Sequence, residues 1–207
     1  MHNLTLAVAL VSSTIGCAKR AAPHGESAAH VKSIMQAVDA RLAARPTLPA
    51  CAAKAARTAE TMTAEAVHRL ATGASSGADE PQFGPTDNRS GMLWLVTASS
   101  PGIADMAADR LIKSDKWLVS AVDDLVPAKI AGSSFDSGTI TGHVVQVSSK
   151  DGALECQWTF TAKNGDLVDY QHVEDPLHPE KQQDELRWRL ESNLYSQAGY
   201  AASSAVF

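Results

Sequence analysis

Hydrophobic residues recur with helical spacing in the first third of the chain. Between Ala28 and Ala44 the apolar side chains share one helix face and the charged ones lie elsewhere, the apolar set being Val31, Ile34, Met35, Val38 and Leu42. This helix should end at Arg45, because a residue that precedes proline is disfavoured in the helical region. A second, alanine-rich helix is predicted from Cys51 to Ala71, closed by Gly73. The two helices together predict a helical hairpin.

Strict alternation of apolar and polar residues predicts a half-buried strand from Leu154 to Ala162. Segments Thr139–Ser148 and Leu167–Val173 flank it, and the connections contain an Asp-Gly and an Asn-Gly dipeptide. Both dipeptides accept the positive φ angles of tight hairpin turns. The sequence therefore predicts an antiparallel meander of three strands. The alternation slips between Val144 and Val145, which is compatible with a bulge at that point.

The remaining elements are shorter. Residues 73–91 are rich in Gly, Ser and Pro and predict a long mobile loop, and Met92–Ala98 and Trp117–Val122 have the length of strands. Helices are predicted at Ile103–Lys113 and, after a proline, at Glu180–Gln197. The expected fold class is α+β, with the helical hairpin covering one face of the antiparallel sheet and a C-terminal helix on the same core.

The first residues of the chain form a leader of their own. An apolar run from Leu4 is too short to cross a bilayer as a permanent helix, and it ends in Ile15-Gly16-Cys17. This ending resembles the lipobox of bacterial lipoproteins. The resemblance implies a signal peptide at 1–16, a palmitate-type lipid on Cys17 and, because Ala18 follows the cysteine, location on the periplasmic side of the outer membrane. The alternative is a buried segment of a cytoplasmic protein, in which Cys17 is an ordinary thiol.

The rest of the chain has the size of one domain. Residues 17–27 are predicted to be a tether, and residues 28–207 to be a single domain. The net charge of −5 and the lack of a basic stripe argue against nucleic acid as a partner. No second apolar run is long enough to span a membrane. Membrane contact is therefore expected only through the lipid on the N-terminus.

The cysteine count agrees with an envelope location. The chain has three cysteines, and lipidation of Cys17 leaves Cys51 and Cys156 in a compartment where disulfides persist. Cys156 shares the inward side of its strand with Trp158, and Cys51 begins the apolar seam of the predicted second helix. We therefore expect a disulfide between the helix and the strand. The alternative is two separate buried thiols that pack as small hydrophobic residues.

The mature part also resembles lipoproteins of Gram-negative bacteria that have no assigned activity. These place a helical first half before a short antiparallel meander and end in a helix. The stretches Gly138–Gly142 and Leu154–Cys156 carry the resemblance. It implies no activity, no catalytic residue and no cofactor.

Three patterns contain residue types found in chemical sites. Gly73–Gly77 matches the Gly-x-Ser-x-Gly pattern of hydrolases, but that chemistry needs a turn between a strand and a helix, and here the pattern follows a helix. His172 and His178 form a local cluster with two acidic residues, but the nearby prolines prevent a regular helix from spacing them as metal ligands, so a solvated loop is favoured. The Asp123-Asp124 pair has no acidic partner at a recognisable distance, so only spatial pairing could make it a site.

The aromatic residues of the last helix suggest a binding role. Leu186, Leu190 and Leu194 form one stripe, and Trp188 and Tyr195 lie nearly opposite it. Either they pack beneath the loop at 73–91, or they form a docking surface for an envelope protein, since Trp and Tyr are favoured interface anchors. The expected function is a non-enzymatic adaptor or binding module. The alternative is a periplasmic hydrolase whose site is assembled from residues distant in sequence.

Overall fold

The computed structural model describes residues 26–56, 59–73, 101–131, 134–165, 168 and 179–207. These residues form helices and strands in the following order: α1 Glu26–Ala43, β1 Glu60–Thr63, α2 Ala64–Thr72, α3 Pro101–Lys113, β2 Lys116–Val126, β3 Lys129–Ala131, β4 Ser134–Asp136, β5 Thr139–Ser148, β6 Leu154–Lys163 and α4 Pro179–Val206. The α+β class and the C-terminal helix are confirmed. The first helix, the helix after residue 100 and the strands β5 and β6 are close to their predicted bounds, whereas β2 continues to Val126, beyond the predicted end at Val122.

The main sheet is mixed, with strand order β1-β2-β5-β6. β5 pairs antiparallel with both β2 and β6, so the predicted hairpin from Thr139 to Ala162 is confirmed. β1 lies parallel to β2, with Met62 opposite Val119. β3 and β4 form a separate two-stranded ribbon. The predicted strand Met92–Ala98 and the loop after Gly73 lie outside the described residues, as does the predicted strand Leu167–Val173 apart from Val168.

The predicted second helix is wrong at its beginning. It was expected to start at Cys51, but α2 starts after Thr63, whose side-chain Oγ1 accepts a hydrogen bond of 3.1 Å from the Ala66 amide and so caps the helix. The preceding residues form β1, all of them buried beside β2, and this burial outweighs the helix propensity of the alanines before them. The predicted end is right, because Gly73 closes α2 with a left-handed φ of 75°. α2 still packs on α1, as a hairpin requires.

Helices cover both faces of the sheet. α1, α2 and α3 bury one face, where the sheet contributes Trp117, Val119, Val145 and Val147. α4 buries the other face, against Leu118, Ile140, Val144 and Phe160. The expectation of a C-terminal helix on the same core as the hairpin is therefore wrong. The two-sided cover also explains the slip at Val144 and Val145, which are both buried but belong to opposite faces, with continuous strand pairing and no bulge between them.

The strand pairing is irregular at two other places, neither of them between Val144 and Val145. β2 shifts between Val122 and Asp124, and the pairing of β5 with β6 shifts at Gln146 and Val147. On β6 the second shift leaves Glu155 as an extra residue, since Cys156 pairs with Gln146 and Leu154 pairs with Val147. Leu154 consequently packs with the three-helix core rather than beside Trp158 and Phe160, against the prediction that the whole alternating series shares one side.

A buried asparagine fixes α4 on the sheet. Asn164 follows β6, accepts a hydrogen bond of 2.8 Å from the Gly138 amide and donates one of 2.7 Å to the carbonyl of Leu190. The predicted leucine stripe is confirmed at Leu190 and Leu194, which are both buried. Small residues then continue the buried side to the end of the helix, at Ala198, Ala202 and Val206.

Candidate functional site

An exposed tryptophan lies near the beginning of α4. The Trp188 side chain is 60% exposed, although it lies only two residues before the buried Leu190. The guanidinium of Arg189 is 5.2 Å from the centre of its ring, within the range of a cation–π contact. Arg187 and Arg189 also form ion pairs with acidic residues one turn earlier in the helix, at 3.2 and 3.4 Å. We call this part of α4, residues 184–189, the Trp188 surface.

Tyr195 has a different environment. It is half-buried and packs against the α4 core. Burial raises the pKa of its hydroxyl, and the carboxylates of Glu191 and Glu65 raise it further. The sequence pattern placed the two aromatic residues on one surface, but their environments differ, since Trp188 is exposed and Tyr195 packs against the core. Partner binding by either residue remains a prediction.

Cys51 and Cys156 are placed at disulfide distance, with their Cα atoms 5.0 Å apart and a sequence separation of 105. The predicted pairing is confirmed, but Cys51 lies in an extended segment instead of a helix. This segment runs along the edge of β6, where the Gln157 amide donates to the Pro49 carbonyl and the Cys51 amide donates to the Gln157 carbonyl, each at 3.0 Å. We call residues 49–56 the strap.

The strap also closes the C-terminal end of α4. Lys54 Nζ donates to the carbonyls of Ser204 and Ala205 at 2.6 and 2.8 Å, and the Ala55 amide donates to the Val206 carbonyl at 2.9 Å. A cation there satisfies helix carbonyls that have no partner within the helix and opposes the helix dipole. The strap thus joins the edge of β6 to the end of α4.

An open cleft of about 420 Å³ lies beside the strap, with Leu48, Cys51, Trp158 and Ala205 among its lining residues. None of the residues that line it is charged. Its lining also includes the polar side chains of Gln157 and Thr159 but offers no carboxylate, histidine or free thiol for acid, base or metal chemistry.

A histidine–carboxylate pair lies on the open part of the sheet. His143 Nδ1 is 2.8 Å from Oδ1 of Asp123 and 2.9 Å from its Oδ2. Asp123 is the residue at which β2 shifts register, and the shift turns its carboxylate towards β5. Thr159 lies directly across from His143 on β6. Sequence reasoning missed this pair, because antiparallel pairing alone brings the two residues together; the available signal was a histidine inside an apolar strand.

A second polar group surrounds the bulge on β6. The Glu155 carboxylate accepts hydrogen bonds from Lys116 Nζ and, at 2.8 Å, from Gln146 Nε2. Partial burial acts to raise the pKa of Glu155, but the two hydrogen bonds and the charge of Lys116 outweigh it and lower the pKa. The group stabilises the bulged strand pairing.

Several sequence-predicted sites lie outside the described part of the chain: Cys17, His172, His178 and all of Gly73–Gly77 beyond its first residue. Within the described ranges no three metal-binding side chains cluster, and no helix is long and apolar enough to cross a membrane. Comparisons with protein-family models, curated proteins and solved structures find no match. Function is therefore inferred from the residues of this chain.

Proposed function

We propose that this chain is a lipid-anchored lipoprotein of the bacterial envelope, whose α+β domain acts as a non-enzymatic binding module for a protein partner. Cys17 would carry the lipid on the periplasmic side of the outer membrane. The observation that carries the binding role is the exposure of Trp188 between two arginines on helix α4.

Trp188 has the properties of an interface anchor. Tryptophan and arginine are enriched among the residues that supply most of the binding energy in protein interfaces. The helix beneath Trp188 is held by Leu190, which is 2% exposed and whose carbonyl accepts the Asn164 hydrogen bond. A surface on an already ordered helix loses little conformational entropy when it binds, which favours affinity.

The envelope location is supported by two independent features. The leader ends in Gly16-Cys17 with the small-residue and cysteine pattern of a lipobox. Cys51 and Cys156 are paired, and disulfides persist in the periplasm but are rare in the bacterial cytosol. Both features favour an exported protein over a cytoplasmic one.

The binding role is tested by cross-linking the full protein in its native envelope and comparing Trp188→Ala with Tyr200→Ala. Tyr200 is a matched control, because it is 62% exposed on the same helix but lies far from the Trp188 surface. Truncation of an anchor residue typically costs about 2 kcal/mol, or about thirtyfold in affinity. We expect Trp188→Ala to lose the cross-linked partner and Tyr200→Ala to retain it. Equal capture by both variants would overturn the assignment of this surface.

The anchor is tested separately by Cys17→Ser. Acyl chains bind a bilayer by about 0.8 kcal/mol for each buried CH₂, so losing them should remove the protein from the membrane fraction or leave the leader uncleaved. If wild type and variant are both soluble and unprocessed, the chain is not a lipoprotein.

A second candidate function, periplasmic hydrolysis, is favoured by the His143–Asp123 pair. A carboxylate on Nδ1 orients a histidine so that Nε2 can act as a general base. The binding role is preferred because the pair lies on an open sheet face, with the Asp123 side chain 52% exposed, rather than in a cleft that excludes water. Hydrolysis of an ester and amide panel by wild type, abolished by His143→Gln, would establish the enzyme instead.

A further inference from the structure

The beginning of α1 is held against α3. The Ala28 amide donates a hydrogen bond of 3.2 Å to Oδ1 of Asp105, in the second turn of α3. Cys17 precedes the first residue of α1 by about nine residues, and a chain of that length reaches at most about 30 Å. An anchor on Cys17 would therefore keep this corner of the domain, where α1 begins beside α3, close to the bilayer.

α3 presents an amphipathic outer face at this corner. Its inner side is buried in the three-helix core, through Ala104, Ala107, Ala108 and Leu111. On the outer side Ile103 is 42% exposed and Met106 is 64% exposed, and their spacing of three residues makes them neighbours. Arg110 and Lys113 continue the same side of the helix and are also exposed.

We propose that this outer face of α3, defined by Ile103, Met106, Arg110 and Lys113, contacts the phospholipid surface in which the N-terminus is anchored. The inference rests on the proposed lipid anchor at Cys17. Apolar side chains of an interfacial helix enter the boundary between headgroups and acyl chains, while Lys and Arg contact lipid phosphates. The face has both kinds of residue in one row. Arg110 also forms a 3.8 Å ion pair with Glu60, which keeps the row attached to the sheet edge.

The arrangement of the two helical layers agrees with this orientation. α3 packs on one face of the sheet and α4 on the other. With α3 on the bilayer, α4 lies on the side of the sheet away from the lipid. Trp188 would then remain accessible to a protein partner while the domain rests on the membrane.

The test uses full-length lipidated protein with one new thiol. Because Cys17 would be lipidated and Cys51 is paired with Cys156, Met106→Cys introduces a single reactive cysteine for a polarity-sensitive fluorophore. Tyr200→Cys, on α4, is the matched control, since the exposures of the two native side chains are similar at 64% and 62%. The proteins are reconstituted in vesicles of phosphatidylethanolamine and phosphatidylglycerol that contain a lipid-borne quencher.

We expect the label at position 106 to shift its emission to shorter wavelength and to be quenched by the lipid, and the label at position 200 to remain in water. If the protein floats with the vesicles but both labels remain in water, or if only position 200 responds, the assignment of the α3 face is wrong while the anchor stands. If the processed protein does not float with vesicles, the lipid anchor fails and the inference fails with it.

Discussion

The two faces of the sheet are covered by very different means. On one face three helices interlock, and their large side chains, such as Met35 and Leu111, are buried completely together with Trp117 of the sheet. On the other face, within the part of the chain that the structure describes, α4 is the one helix that covers the sheet, with leucines and then with small residues. The first face is stabilised by buried volume, whereas the second depends on ties at defined points.

The physical reason is the width of one helix. An α-helix with its side chains is about 10–12 Å across, whereas four strands about 4.8 Å apart present a wider surface. α4 therefore cannot cover the whole face. Part of the area that it leaves uncovered is filled by Ala55 of the strap and by Ala59, which follows the strap. Asn164 holds the middle of α4 and the strap holds its C-terminal end. Residues 183–185 and 187–189 of α4 are exposed, and Trp188 is one of them.

The largest effect is expected from removing the disulfide. Cys51→Ser combined with Cys156→Ser opens a loop with a sequence separation of 105 residues, for which chain entropy predicts a loss of about 4–5 kcal/mol in the free energy of unfolding. Denaturant unfolding of the oxidised wild type and the double variant measures it. Hydrogen exchange adds the location: amides at the C-terminal end of α4 should lose protection before those of α1. Equal loss of amide protection in α1 and α4 would mean that the strap does not stabilise the α4 face more than the three-helix face.

A pair of core truncations compares the two faces directly. Met35→Ala removes a fully buried side chain from the three-helix face and Leu194→Ala one that is 1% exposed from the α4 face. Each should cost about 2–5 kcal/mol, since both leave a cavity. We expect the Leu194 variant to open α4 locally, visible as faster exchange in that helix, and the Met35 variant to lower global stability. The opposite pattern would contradict the view that α4 is the more weakly held layer.

A smaller effect is expected at Gly142 in β5, which lies close to both neighbouring strands. A Cβ at Gly142 would collide with the carbonyl of Ala121 and the ring of Phe160. Gly142→Ala should therefore destabilise the protein by about 1–3 kcal/mol, as overpacking does. Gly102→Ala is the control, because a Cβ there meets nothing within 4 Å and alanine favours the helix. In thermal unfolding, Gly142→Ala should lower the melting temperature and Gly102→Ala should raise it.

The smallest effect concerns pH. The pKa of Glu155 is lowered in the folded protein, so its contribution to stability is present above its ordinary value of 4.5 and is lost as the pH falls through the lower folded value. Glu155→Gln should therefore reduce the loss of stability on acidification below about pH 4.5, by less than about 1 kcal/mol because the carboxylate is partly exposed. Denaturant titrations between neutral and acidic pH measure the difference.

The sequence by itself determined the elements whose residues repeat with a local period. The apolar face of α1, the leucine stripe of α4 and the hairpin of β5 and β6 depend on spacings of two to four residues, which are visible without a fold. The pairing of Cys51 with Cys156 was also accessible, because the lipobox-like leader predicted that two cysteines remain in a compartment where disulfides persist.

Only the tertiary structure decided the features that depend on distant neighbours. The alanine-rich segment before Ala64 looks helical alone, but pairing of Glu60–Thr63 with β2 makes it a strand. The bulge at Glu155 and the meeting of His143 with Asp123 arise from strand register, which no local pattern specifies. The sequence also did not show which side of the sheet α4 covers. A continuous apolar run such as Val144-Val145 is compatible with burial on either face of the sheet or on both. Local periodicity specifies which residues must be buried, and the partner that buries them is chosen by the whole fold.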